Sequence, residues 1–202
     1  MKNIIILTIL FLFIACEQKE KNSFSLKYIN NNNELSLIYE NNTSQDIIFP
    51  APNTLQFEDQ NLKGNMKGRY PIIIYATMRD NQSSKFYQKK LDSIYEGYLT
   101  EIGESGLIAY KNPGEGNSIF YLKEKEKLRV KYKLTVKRFY PLNYSSKFKQ
   151  SYYPYDKGLE GNYRETEYLR RFSMLNFGKA KFMIQPGIED SLFLNISQNG
   201  YK

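Results

Sequence analysis

Residues 127–137 alternate polar and apolar side chains without a break: Lys127, Arg129, Lys131, Lys133, Thr135 and Lys137 interleave with Leu128, Val130, Tyr132, Leu134 and Val136. Successive side chains of an extended chain point to opposite faces. The segment therefore reads as a β-strand with one face in a core and a strongly cationic face outside it. Nothing else in the chain restricts the fold as sharply.

The same period recurs. Phe24, Leu26 and Tyr28 alternate with polar partners, an Asn run follows at 30–33, and Leu35, Leu37 and Tyr39 alternate again. This is a hairpin pattern, because Asn tolerates the left-handed conformations of a tight turn. Further short apolar runs lie at 47–49, 55–57, 72–76, 107–110, 119–122, 182–184 and 192–196. Turn chemistry separates them at Pro50-Ala51-Pro52, Asn112-Pro113-Gly114, Gly116-Asn117 and Pro186-Gly187. Many short strands with frequent turns predict an antiparallel β-sandwich or barrel.

Two segments depart from this period. Tyr87, Leu91, Ile94, Tyr95 and Tyr98 share one helical face, which predicts a helix over 84–96. Ser83 or Ser84 caps its start and Gly97 is placed to stop it. At Asn162 and Glu165 the spacing is that of a capping box, with Leu169, Phe172 and Leu175 as an apolar stripe. A strand through 172–177 competes with that second helix.

The N-terminus has a different character. Lys2 precedes residues 4–15, which are apolar except for Thr8, and from Glu17 the chain is abruptly polar. That run is too short for a spanning helix, which needs about 20 residues, and it suits a signal peptide. Phe13-Ile14-Ala15-Cys16 resembles the lipobox of bacterial lipoproteins. The resemblance implies cleavage after Ala15, lipidation of Cys16, and a tether over 16–23 that holds the domain at a membrane. In that family an Asp after the cysteine favours inner-membrane retention. Glu17 stands there, so the resemblance implies the outer membrane. Cys16 is the only cysteine of the 202 residues, so no intrachain disulfide can form. Loss of 1–15 removes one basic residue, Lys2, and leaves a chain with an excess of seven positive charges. No repeat or linker divides it, and 24–202 is read as one domain.

The stretch from Leu35 to Phe49, an alternating strand running into Asn41-Asn42 and then an apolar strand, resembles the opening strand pair of immunoglobulin-like domains in bacterial envelope proteins. Leu122 and the charged run to Lys127, followed by the alternating strand, is similar to a later pair. The resemblance implies a mainly β, immunoglobulin-like antiparallel sandwich with one or two short helices inserted. It implies no activity, since fold does not carry function.

The chain has no His, which removes Ser-His-Asp and Cys-His machinery and His-ligated metals. No Gly-rich phosphate loop is present, because 114–117 lacks the Lys such a loop needs. Neither a cofactor nor a metal is expected. One enzymatic option remains, a carboxylate pair for glycan hydrolysis. Its candidates are Asp156, Glu160, Glu165 and Glu167.

Two surfaces point to binding instead. The cationic strand face of Lys127, Arg129, Lys131, Lys133 and Lys137 suits lipopolysaccharide phosphates or an acidic polysaccharide. Its bland alternative is a solvated face, or lysines guarding a sheet edge. The Tyr-rich segment 139–155 reads as a loop whose Tyr140, Tyr144, Tyr152, Tyr153 and Tyr155 offer flat amphipathic faces to sugars or a protein partner. There the alternative is tyrosines packed over the open end of the sandwich. An exported domain does not meet nucleic acid, so none is expected. Finally, Asp92-Ser93-Ile94 and Asp190-Ser191-Leu192 resemble an O-glycosylation acceptor of one group of Gram-negative bacteria, which marks Ser93 and Ser191. Two function classes follow: a lipid-anchored envelope binding or assembly module, and an envelope glycan hydrolase.

Overall fold

The computed structural model describes residues 23–59, 73–79, 82–103, 116–136, 143–152, 163–188 and 192–197. Among these residues the fold is mainly β, with two helices and with antiparallel pairing throughout except for one parallel pair, in which Ile47 and Ile48 lie beside Lys181 and Phe182. The strands are β1 (Phe24–Asn31), β2 (Glu34–Asn41), β3 (Ile47–Pro52), β4 (Thr54–Asp59), β5 (Ile73–Met78), β6 (Asn117–Leu122), β7 (Lys127–Val136), β8 (Asn143–Tyr152), β9 (Lys181–Phe182) and β10 (Leu192–Ser197). Helix α1 (Lys85–Glu101) lies between β5 and β6, and α2 (Tyr163–Ser173) between β8 and β9. A seven-stranded sheet has the order β1-β2-β7-β5-β4-β8-β10, and a three-stranded sheet the order β6-β3-β9. The hairpin β1–β2 pairs from Phe24 with Asn41 to Asn31 with Glu34, and Asn32 takes the left-handed φ of 50° that its turn requires. The large sheet curls until its edge strands approach, where the Asn30 side-chain amide donates to the Phe193 carbonyl at 3.5 Å.

The two sheets share one core. From the large sheet come Leu35, Leu37, Tyr39, Phe57, Ile74, Val130, Tyr132, Leu134, Leu192 and Leu194, and from the small one Ile47, Phe49, Phe120 and Leu122. Phe49 is its aromatic centre, with ring centroids 4.7 Å from Tyr39, 4.9 Å from Phe24 and 5.6 Å from Phe120. The buried hydroxyls are satisfied: Tyr132 donates to the Pro52 carbonyl at 2.9 Å and Tyr39 to Gln185 Oε1 at 2.8 Å. On its other face the small sheet buries Ile48 and Ile119 against Leu91 of α1 and Tyr168, Leu169 and Phe172 of α2. It is thus a middle layer, apolar on both sides. That burial explains why the run at Ile47, Ile48 and Phe49 does not alternate.

Both segments that resemble immunoglobulin strand pairs are crossovers rather than hydrogen-bonded pairs. β2 lies in the large sheet and β3 in the small one, and β6 and β7 divide in the same way. The crossovers run side by side and Asn41, wholly buried, joins them. Its Nδ2 donates to the carbonyls of Gln45 (2.8 Å), Lys123 (2.9 Å) and Leu122 (3.3 Å). Its Oδ1 accepts from the backbone N–H (3.0 Å) and the hydroxyl (2.6 Å) of Thr43, while its own N–H donates to the Glu126 carbonyl at 3.0 Å. Beside it Tyr121 donates its hydroxyl to Asp46, which raises the Tyr121 pKa to about 12 and holds Asp46 below the usual range.

Three local expectations change and one is met. Pro50-Ala51-Pro52 is not a turn but the second half of β3, paired with Ile119, Ser118 and Asn117. The carbonyls of Asp46 and Ile48 accept from the β9 side, so even-numbered residues of β3 face β9. β9 has ended before Pro50 and Pro52, and their missing N–H groups cost no ladder bond. Gly97 does not stop α1, which starts at the Ser84 cap and continues to Glu101. Tyr98 and Leu99 extend its buried face, and their burial outweighs the roughly 1 kcal/mol penalty of a helical Gly. The chain leaves the helix at Gly103, whose φ is 75°. Segment 163–173 forms the expected second helix rather than the competing strand, with Leu169 and Phe172 buried. Lastly, the Tyr-rich segment is no loop over 143–152. There it forms β8, hydrogen-bonded to both β4 and β10, so tertiary pairing and the β-propensity of Tyr and Phe prevail over its polar composition.

Candidate functional site

The apolar face of β7 points into the core as its period requires, with Val130, Tyr132 and Leu134 buried. Its polar face is the outer surface of the large sheet. β7 sits between β2 and β5, so its lysines guard no sheet edge. Pairing with β2 sets Lys127 opposite Glu40, Arg129 opposite Ile38, Lys131 opposite Ser36 and Lys133 opposite Glu34. The residues that complete this surface come from distant parts of the chain. Lys27 of β1 reaches Glu40 from the other side, and Arg79, just after β5, reaches Glu34.

The charges on this face do not balance. Glu40 receives Lys127 Nζ at 3.0 Å and Lys27 Nζ at 3.1 Å, with its side chain only 11% exposed. Hydrogen bonds from Lys127 and then Lys27 hold its pKa below the ordinary carboxylate value. Glu34 has Lys131 Nζ at 3.6 Å and Arg79 at 3.9 Å. Arg129 and Lys133 form no ion pair among the described residues. Among the described side chains, six cations thus face two carboxylates. The paired lysines keep most of their ammonium surface in water, where an ion pair contributes at most about 1 kcal/mol, so they can still attract an external anion. Lys137 lies outside the described residues.

The other sequence candidates do not join this surface. Tyr144 and Tyr152 belong to β8, opposite Ile196 and Gln56 in register. Tyr140, Tyr153, Tyr155, Ser191 and Cys16 lie outside the described residues. Ser93 is exposed on α1. Of the four candidate acids, Asp156 and Glu160 lie outside the description and Glu165 is described in its backbone alone. Glu167 is bound by both neighbouring arginines: Arg170 at 2.7 Å and Arg171 at 3.0 Å. These bonds lower its pKa to about 2, leaving it ionised and unable to donate a proton at neutral pH. Arg171 also reaches Glu101 at 2.8 Å, so this cluster clamps α2 to α1.

Lys27, Glu34, Glu40 and Arg79 were missed by sequence reasoning. The alternation of β1 and β2 marks Lys27 and Glu40 as outward-facing, but only the β2–β7 register brings them to the basic strand. Among the described residues no cluster of acids has the makings of a metal site, and no helix is long and apolar enough to cross a membrane. Comparison with known proteins gives no match: no family model, no curated protein and no solved structure is similar to this chain.

Proposed function

We propose that this chain is a lipid-anchored, non-enzymatic module of a bacterial cell envelope, attached through Cys16 and binding an anionic envelope component with the outer face of its large sheet. The observation that carries the reading is the unbalanced basic face, on which, among the described side chains, Lys27, Arg79, Lys127, Arg129, Lys131 and Lys133 surround Glu34 and Glu40. A polyanion would offset a repulsion that the protein itself leaves partly uncompensated. Support for the anchor is the apolar run 4–15 ending at Ala15-Cys16, and the outer membrane is the location that Glu17 favours. The core shared by two sheets supports a β-sandwich. The seven and three strands divide more unequally than in immunoglobulin domains, so the likeness to that family rests on the two crossovers.

The hydrolase alternative is weaker. Glu167, the one candidate acid whose side chain is described, is already committed to two arginines.

Metabolic labelling with a fatty-acid analogue tests the anchor. Label is expected on the wild-type protein and absent from Cys16→Ser, and label retained by the Ser variant refutes this attachment. Retention of the mature chain on lipopolysaccharide or acidic polysaccharide, lost at high salt, tests the face. Retention indifferent to salt refutes an electrostatic contact.

A further inference from the structure

We infer that the anionic component met by this face is the headgroup layer of the membrane that anchors the chain, with the large sheet lying face-down on it. This inference deepens the proposed function and rests on its lipid anchor. Three observations carry it.

The first is where the tether enters. The Ser23 carbonyl accepts from Asn42 N–H at 3.0 Å, and Phe24 begins β1 opposite Asn41. The next register pair, Ser25 with Glu40, adjoins the Lys27–Glu40–Lys127 cluster. The tether therefore joins the domain at one end of the basic face, not on the helix side.

The second is reach. Residues 16–22 span at most about 25 Å when fully extended. Lys127 to Lys133 covers roughly 20 Å of strand. The tether is long enough to let the β1-β2-β7 part of this curved face meet the bilayer. It is too short to hold that end of the sheet many screening lengths away, since the Debye length is about 8 Å at physiological salt.

The third is the apolar rim. Ile29 is 47% exposed and lies on the outer face of β1, two residues from Lys27. Phe193 is 53% exposed and lies on the outer face of β10, between the buried Leu192 and Leu194. Asn30 joins the two strands across the seam through its bond to the Phe193 carbonyl. Ile29 adjoins the basic strands while Phe193 lies round the seam, and an exposed apolar side chain beside a basic face suits a headgroup–acyl boundary, which accepts both kinds of group.

The test uses the processed, lipidated chain in vesicles of phosphatidylcholine, with or without phosphatidylglycerol. Since Cys16 is the only cysteine and is acylated in this form, Ile29→Cys and Met174→Cys each carry a single labelable thiol. Met174 is 70% exposed beyond α2, on the far side of the small sheet from the basic face. With a fluorophore at each position and a bilayer-embedded quencher, the label at 29 is expected to be quenched several-fold more than that at 174 in anionic vesicles at low salt. The excess is expected to vanish in phosphatidylcholine alone or at high salt. Each cation near an anionic surface contributes roughly five-fold to partition, so Lys131→Gln with Lys133→Gln lowers the docked-to-undocked ratio about twenty-five-fold. Flotation separates the two readings. Equal quenching at both positions on protein that floats overturns the docking and leaves the anchor standing. Protein that fails to float overturns the anchor, and the docking with it. Retention on soluble acidic polysaccharide with no excess at 29 overturns the membrane as the partner.

Discussion

Replacing Asn41 by Asp changes one atom type at the point where the two sheet crossovers meet, and its cost follows from the geometry. The amide nitrogen has two hydrogens, used on the Gln45 and Lys123 carbonyls at 2.8 and 2.9 Å, with Leu122 sharing at 3.3 Å. A carboxylate removes both donors and sets an anionic oxygen against those carbonyls. Leaving a buried polar group without its partner costs about 1–3 kcal/mol each, so two lost donors amount to roughly 2–6 kcal/mol before charge burial is added. Typical domain stability is about 5–15 kcal/mol, so the variant should be severely destabilised or unfolded at neutral pH. Asn41→Ala loses the same donors and also the Oδ1 acceptor of the Thr43 N–H and hydroxyl, and should be destabilised without the pH dependence of Asp. Protonation gives the Asp side chain a hydroxyl that can restore one bond. Its folded pKa is therefore raised above the unfolded value, and the folded state binds the extra proton. The deficit of the Asp variant should shrink as pH falls through that raised pKa and grow as pH rises. Urea melts of wild type, Asn41→Ala and Asn41→Asp at neutral and acidic pH measure all of this. An Asp variant as stable as wild type at neutral pH refutes the role assigned to the Asn41 amide.

Other outcomes follow from neighbouring features. Leu134→Ala, in the core on β7, should cost about 2–5 kcal/mol in urea melts, whereas Lys133→Ala on the opposite face should change stability by less than about 0.5 kcal/mol; equal losses contradict the face assignment. Glu40 has its folded pKa depressed by Lys127 and Lys27, so its stabilisation is present above the ordinary glutamate value of 4.5 and lost as pH falls through the folded pKa. Glu40→Gln should flatten that acid limb of the stability profile, and an unchanged limb contradicts the pairing. Gly97→Ala should raise stability by about 0.5–1 kcal/mol, because a Cβ at that helical position meets nothing within 4 Å; thermal melts showing a loss contradict the continuous helix.

The strand and hairpin periods were legible because each depends on residues adjacent in sequence. Lys127 to Val136 alternates as one buried face demands, and the Asn32 turn and the Ser84 cap are local chemistry. The misread elements depend on distant partners. Pro50 and Pro52 are tolerated in a strand because β9, more than a hundred residues away, ends beside Ile48. Gly97 stays helical because Tyr98 and Leu99 find a surface to bury against. The segment 143–152 is a strand because β4 and β10 both need a neighbour. The candidate site divides in the same way. Its cationic strand is visible in sequence, while Lys27, Arg79 and the two opposing carboxylates assemble only through sheet register.

The central claim is that binding belongs to one face and not to the net charge of +8 carried by the whole chain. Two charge-reversal pairs of equal net charge separate these alternatives: Lys131→Glu with Lys133→Glu on the large sheet, and Lys85→Glu with Lys89→Glu on the exposed side of α1. The measurement is the salt concentration at which each mature protein elutes from an immobilised acidic polysaccharide, with urea melts confirming that both variants are folded. The account predicts that the sheet pair elutes at markedly lower salt than wild type while the helix pair elutes close to it. Equal shifts for the two pairs would mean that overall charge governs the binding, and would contradict the assignment of a site to the outer face of the large sheet.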